Sequence, residues 1–177
     1  MNGAGAHRLL LLSGLLLCLA FVNASIVAKE RLMSQGRLVY LELAPVDPRS
    51  LMQGDYMALN YRVAEQVRRA LPKDQQRPAW LPALAPGKGR VVIRLDDRRV
   101  GQFVRLDDGR DPAADEFVLQ YRIRAGKLRF ASDAWFFEEG TAARYEQARY
   151  GRFRVADDGE MLLTGLSDAR LQPLGGS

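Results

Sequence analysis

The chain is 177 residues long, 47% hydrophobic and 27% charged, with a formal net charge of +5. That is about one domain's worth of chain, with enough apolar material for a buried core. Its single cysteine, Cys18, and single histidine, His7, both lie near the N-terminus, which excludes an internal disulfide, a Ser-His-Asp triad, a histidine zinc site and a histidine pH switch from the remainder.

From Leu9 to Ala28 the chain reads LLLLSGLLLCLAFVNASIVA, 20 residues without a charge. As a helix rising about 1.5 Å per residue, this run spans roughly the 30 Å of a hydrocarbon core. A cleaved signal peptide would use Arg8 as its basic head and Val22-Asn23-Ala24 as its cleavage site, but its apolar run is usually about 7 to 15 residues. Length therefore favours an uncleaved anchor over 9–28 behind a cytoplasmic tail over 1–8. Leu17 stands where a lipid-anchored Cys18 would need a small residue, so Cys18 reads as a lipid-facing apolar side chain. Arg8 on one flank is answered by Lys29 and Arg31 on the other, so the positive-inside rule does not choose an orientation. A short head ahead of a long polar domain is the order of an exported protein, which predicts a single pass through the inner membrane and a periplasmic domain. Asn23 and Ser25 could bond a neighbouring membrane helix, or face water at the interface.

The helix is expected to run on through KERLMSQ, a juxtamembrane segment over 29–36, until Gly36 stops it, and 37–177 reads as one β-rich domain. RLVYLELA predicts a half-buried strand, with Leu38 and Tyr40 set against an acid-bearing face at Glu42. Pro45 and Pro48 then hold the chain extended, and Gly54 offers a positive φ for the turn into DYMALNY. On that second strand Met57, Leu59 and Tyr61 share one face, and Tyr56, Ala58 and Asn60 the other. Asn60 is placed to cap a helix over YRVAEQVRRALP, in which Val63, Val67, Ala70 and Leu71 recur at helical spacing and Pro72 ends the element. Residues 72–88 carry Pro72, Pro78, Pro82 and Pro86 and read as an extended loop pinned by Trp80 and Leu81.

GRVVIRL, VGQFVRL and EFVLQYRIR read as three consecutive strands joined at the acidic turns RLDDRR and RLDDGR, an antiparallel meander. KLRFA follows an Ala125-Gly126 turn as a fourth strand. A short helix is expected in TAARYEQAR, and YGRFRVA and EMLLTGL form a closing pair joined at DDGE. The predicted fold class is mainly β with one or two short helices (α+β), an antiparallel meander or partly closed barrel-like sheet behind one N-terminal transmembrane helix. The basic residues are nearly all Arg and are interleaved with acids, the pattern of a salt-bridged surface rather than of a nucleic-acid face.

Three constellations invite chemistry. Asp107, Asp108, Asp111 and Asp115 lie close together, but DDGRDPAADE lacks the spacing of a calcium loop, and Asp and Gly are the residues of hairpin turns. Glu138 and Glu139 beside Asp133 suggest a carboxylate pair, of which adjacent strand positions let only one face inward, answered by Arg149 or Arg152. The stretch around Gly54-Asp55 is loosely similar to the signal peptidase box, but Val46 falls where the nucleophile belongs and no lysine lies nearby as its base.

GDYMALNY at 54–61 matches Gly-Asp-Tyr-x-x-Leu-x-Tyr, and with PVDPRSLMQ before it, and FFEEGTAARYEQARYGRFRV and LLTGL near the C-terminus, the chain resembles the GDYXXLXY family of bacterial membrane-anchored proteins. The resemblance implies partners among multi-span integral membrane proteins and no particular reaction. The candidate binding or motif residues are Asp47, Arg49, Gly54, Asp55, Tyr56, Leu59, Tyr61, Glu139 and Arg149. Gly54 and Leu59 read as structural; Asp55, Arg49, Tyr56 and Tyr61 divide between an internal hydrogen-bonded network and a recognition surface. The expected function is a non-catalytic accessory or binding subunit of a membrane protein assembly, without cofactor or metal. The alternatives are a hydrolase using Glu139 or Asp55 as general base with Arg49 or Arg149 as anion stabiliser, and a secreted ligand binder cleaved after Ala24.

Overall fold

A computed structural model describes residues 3–44, 52–53, 56–72 and 86–175. Helix α1 (Gly3–Gln35) leads the chain, and its stretch Leu9–Gln35, whose most apolar 18 residues have a mean hydropathy of 2.4, is long and apolar enough to cross a membrane. Gly36 ends it as expected, its amide donating to Leu32 O at 3.0 Å. The demand for glycine there is steric, since a Cβ on Gly36 would stand 2.2 Å from that same oxygen.

The domain then runs β1 (Arg37–Glu42), β2 (Met52–Gln53), β3 (Tyr56–Ala58), α2 (Arg62–Ala70), β4 (Gly87–Leu95), β5 (Gly101–Leu106), β6 (Glu116–Arg124), β7 (Lys127–Arg129) and β8 (Ala134–Phe136). A 3-10 turn at Ala142–Tyr145 precedes β9 (Tyr150–Val155), β10 (Met161–Ser167) and β11 (Pro173–Leu174). Among the described residues these make three antiparallel sheets, ordered β1-β9-β10-β11, β2-β3-β8 and β5-β4-β6-β7. The first and third meet twice, where Tyr40 N donates to Arg99 O at 3.0 Å and Gln120 N donates to Gly159 O at 2.9 Å. These two seams curl the sheets around one core, so the fold is mainly β and of the partly closed form.

The order β5-β4-β6-β7 is not a meander, because β4 sits between β5 and β6. RLDDRR does make a hairpin turn, with Asp96 Oδ1 accepting from Arg98 N at 2.9 Å and Val100 N at 2.8 Å. The second acidic stretch, over 107–115, instead carries the chain from one side of β4 to the other. Its acids clamp the strand's arginines, Asp107 on Arg90 and Asp115 on Arg94, both at 2.7 Å. Ala125 and Gly126, at φ 51° and 72°, make the tight turn of the β6–β7 hairpin.

On β1 the buried face is Val39 and Leu41, while Leu38, Tyr40 and Glu42 share the half-buried opposite side. Period 2 puts positions 38, 40 and 42 together, which corrects the expected split between Tyr40 and Glu42. Met57, Leu59 and Tyr61 are buried together as anticipated. Helix α2 buries Val63 and Val67, with Ala64 half-buried, whereas Ala70 is exposed. Asn60 does not cap α2; the residue there is Tyr61, without a side-chain capping bond, and Asn60 O accepts from Ala44 N at 2.8 Å. Leu71, at ψ 141° ahead of Pro72, leaves the helix as a pre-proline residue does. Phe130, Phe153, Ile93, Leu119 and Leu166 complete the centre of the core, each contributing about 1.5–3 kcal/mol by burial. The expected extension at Pro45 and Pro48, the Gly54 turn, and Trp80 and Leu81 of the proline-rich loop lie outside the described residues.

Candidate functional site

The motif strand β3 lies between β2 and β8, with Tyr56 opposite Gln53 on one side and Phe136 on the other. Alternation along β3 divides its side chains. Met57 pairs with Trp135 on the inner side, and Leu59 and Tyr61 follow it into the core. Tyr56 stays on the outer side, its ring 5.7 Å from that of Phe136, which is 73% exposed. Aromatic pairs with one wet face suit recognition surfaces better than cores.

Tyr61 is buried as deeply as its motif neighbours, 3% exposed against 2% for Met57 and 4% for Leu59. Its ring meets Phe153 and Phe130 edge to face at centroid distances of 5.5 and 6.4 Å, and its hydroxyl donates to Ser132 O at 3.4 Å. Burial, aided by the negative charge of Asp133, holds the phenol well above the ordinary tyrosine range. Leu59 N donates to Asp133 O at 2.8 Å, tying the motif to the segment before β8. Leu59 and Tyr61 therefore belong to an internal packed network, and Tyr56 faces outward.

Asp47, Arg49, Gly54 and Asp55 lie outside the described residues. Glu138 and Glu139 are both exposed, so neither faces inward. The reason is local: the chain turns after β8, where Glu138 O accepts from Thr141 N at 3.0 Å and Thr141 Oγ1 at 2.6 Å, and Gly140 has φ 79°. Arg149 is exposed, its guanidinium donating to Ala148 O at 3.0 Å, and Arg152 donates to Thr164 O at 3.3 Å. In the acidic stretch 107–115, Asp107, Asp108 and Asp115 are engaged by arginines, and turn amides add to this, such as Gly109 N on Asp107 at 3.0 Å. Arg110 N donates to the Asp108 carboxylate, and this bond above all, with Arg105 and Arg110 alongside, lowers its pKa.

A groove of about 1070 Å³ opens beside the motif sheet. Its sides come from β10 at Leu162 and Leu163 and from β8 at Trp135 and Phe136; Tyr121 and Arg122 of β6 and Lys29 of α1 also line it. Two N–H donors along it, Arg129 Nε and Trp135 Nε1, are buried without an acceptor among the described residues. Sequence reasoning passed over Lys88, Arg122 and Arg129, yet a signal for two of them was present. A two-residue turn at Ala125-Gly126 fixes the hairpin register, and that register sets Arg122 directly opposite Arg129.

A family model described as GDYXXLXY protein matches residues 18–166, from within α1 to near the end of β10. No curated protein and no solved structure matches the chain.

Proposed function

The chain belongs to the GDYXXLXY family, and from that premise we propose that it is a membrane-anchored, non-catalytic accessory or binding subunit of a bacterial membrane protein assembly, with a multi-span integral membrane protein as its partner. The observation that carries this reading is the junction between α1 and the domain. Leu32, in the last turn of the helix, is 5% exposed; Gly36 O accepts from Arg154 Nη1 at 2.9 Å; and Lys29 pairs with Glu160. Gly36 alone separates α1 from β1.

A domain held this way keeps one orientation relative to its helix. With α1 in a bilayer, a partner in the same membrane meets the domain in one geometry, which lowers the entropic cost of association. The Tyr56–Phe136 pair, through the exposed ring of Phe136, supplies an aromatic contact for that encounter. The same reading sets α1 across the inner membrane and the domain in the periplasm, where protease added to spheroplasts reaches it and protease added to inside-out vesicles does not.

The test is purification of the tagged full chain from its native membranes in mild detergent, beside a Tyr56→Ala, Phe136→Ala variant, with co-purifying proteins identified by mass spectrometry. A multi-span protein recovered with the wild type and lost with the variant supports the subunit role. Recovery of the chain alone in both cases overturns it.

A further inference from the structure

We propose that the groove beside α1 binds an anionic phospholipid of the surrounding bilayer, its phosphate held by Lys88, Arg122 and Arg129. The β-sheet register places these three residues side by side in one transverse row, Lys88 opposite Arg122 and Arg122 opposite Arg129. Like charges directly opposite one another destabilise a sheet, and an anion across the row reverses the sign of that interaction. Arg129 already has Asp133, but among the described residues Lys88 and Arg122 have no acidic partner. The two acids that line the groove do not supply one, since Asp107 is paired with Arg90 and Glu160 with Lys29.

The rest of the groove selects an amphiphile over a bare anion. Leu162, Leu163 and the exposed ring of Phe136 give it an apolar side, which a free phosphate leaves wet and an acyl chain covers. Its position selects the source. Lys29 lines the groove and is the first charge after the apolar run, so with α1 spanning the bilayer the groove begins where headgroups lie. The inference rests on that spanning reading and not on the partner proposed above.

The full-length protein in neutral detergent is melted with added phosphatidylglycerol, phosphatidylcholine or inorganic phosphate. Phosphatidylglycerol alone is expected to raise the melting midpoint. A Lys88→Gln, Arg122→Gln variant, unchanged without lipid, is expected to need at least about tenfold more phosphatidylglycerol for the same rise. An Arg69→Gln, Arg98→Gln variant, altered away from the groove, is expected to respond as wild type. No rise with phosphatidylglycerol, an equal rise with phosphatidylcholine or phosphate, or an unchanged response in the groove variant overturns the proposal. Should the groove variant melt early without lipid, a photoactivatable phosphatidylglycerol on the wild-type protein decides: labelling of β6, β8 and β10 peptides supports the site, and labelling confined to other segments overturns it. Alkaline carbonate extraction of the native membranes tests the spanning reading separately, since release of the chain would defeat it whatever the lipid result.

Discussion

Gly151 lies against the ring of Tyr61 so closely that a Cβ on the glycine would stand 3.0 Å from Tyr61 Cε1 and 2.9 Å from Phe153 Cε2. The two rings are themselves packed edge to face at 5.5 Å, and both side chains are buried. Neither can retreat without displacing the other. Gly151→Ala is therefore expected to destabilise the domain by about 1–3 kcal/mol, the usual cost of overpacking a filled core, read as a lower midpoint in denaturant unfolding of the full chain in detergent. An unchanged midpoint would mean that the rings have room to move.

The same tyrosine makes stability depend on alkaline pH. Burial raises the Tyr61 phenol above its unfolded value of about 10, so the folded state holds this proton more tightly than the unfolded state does. The resulting stability is fully present below about pH 10 and is lost as pH rises from there toward the folded value. Tyr121, also raised by burial, adds to the slope. Tyr61→Phe removes one long hydrogen bond, costing about 0.5–1.5 kcal/mol at pH 8, and is expected to flatten the decline between pH 9 and 11. Parallel slopes for variant and wild type would contradict this assignment.

The parts of the fold written in local pattern were legible beforehand. The apolar run of α1, the alternation of Met57, Leu59 and Tyr61, the Ala125-Gly126 turn and the pre-proline end of α2 each follow from a rule acting within a few residues. What escaped depends on which strands become neighbours. The acids of 107–115 look like a turn because Asp and Gly favour turns, yet they bind Arg90 and Arg94 because β6 returns on the far side of β4. The groove escaped for the same reason: β8 and β10 are joined to the Arg122 region by chain topology, not by spacing. The expectation that one of Glu138 and Glu139 faces inward fails because both sit past the end of β8, where strand alternation no longer applies.

The coupling of α1 to the domain is testable at Arg154. Its guanidinium donates to Gly36 O at 2.9 Å, a charge-assisted bond worth about 1.5 kcal/mol at the low end suited to a partly exposed group. Arg154→Met keeps the side-chain bulk and removes the donor. Amide exchange over residues 32–38 is expected to speed up about tenfold, while the amides of β4 and β6 keep wild-type protection. Uniform loss of protection would instead assign Arg154 to global stability, and no change anywhere would leave Leu32 and Lys29 as the whole of the junction.

If α1 spans the bilayer, Asn23 and Ser25 are its sequence hint of a neighbour there, and the helix itself takes one donor from each. Asn23 Nδ2 bonds Leu19 O at 2.8 Å and Ser25 Oγ bonds Phe21 O at 2.9 Å. A polar group in hydrocarbon must find a partner, and one turn back along the same helix is the nearest. Side-chain bonds between membrane helices average only about 0.6 kcal/mol, so little affinity is at stake even where such a bond forms. An Asn23→Leu, Ser25→Ala variant is accordingly expected to retain a co-purifying partner within about twofold of wild type, while Tyr56→Ala, Phe136→Ala loses it. The reverse pattern would move the contact into the bilayer, onto the Asn23 amide oxygen and second N–H that its own helix does not use, and would make the aromatic pair of β3 and β8 a bystander.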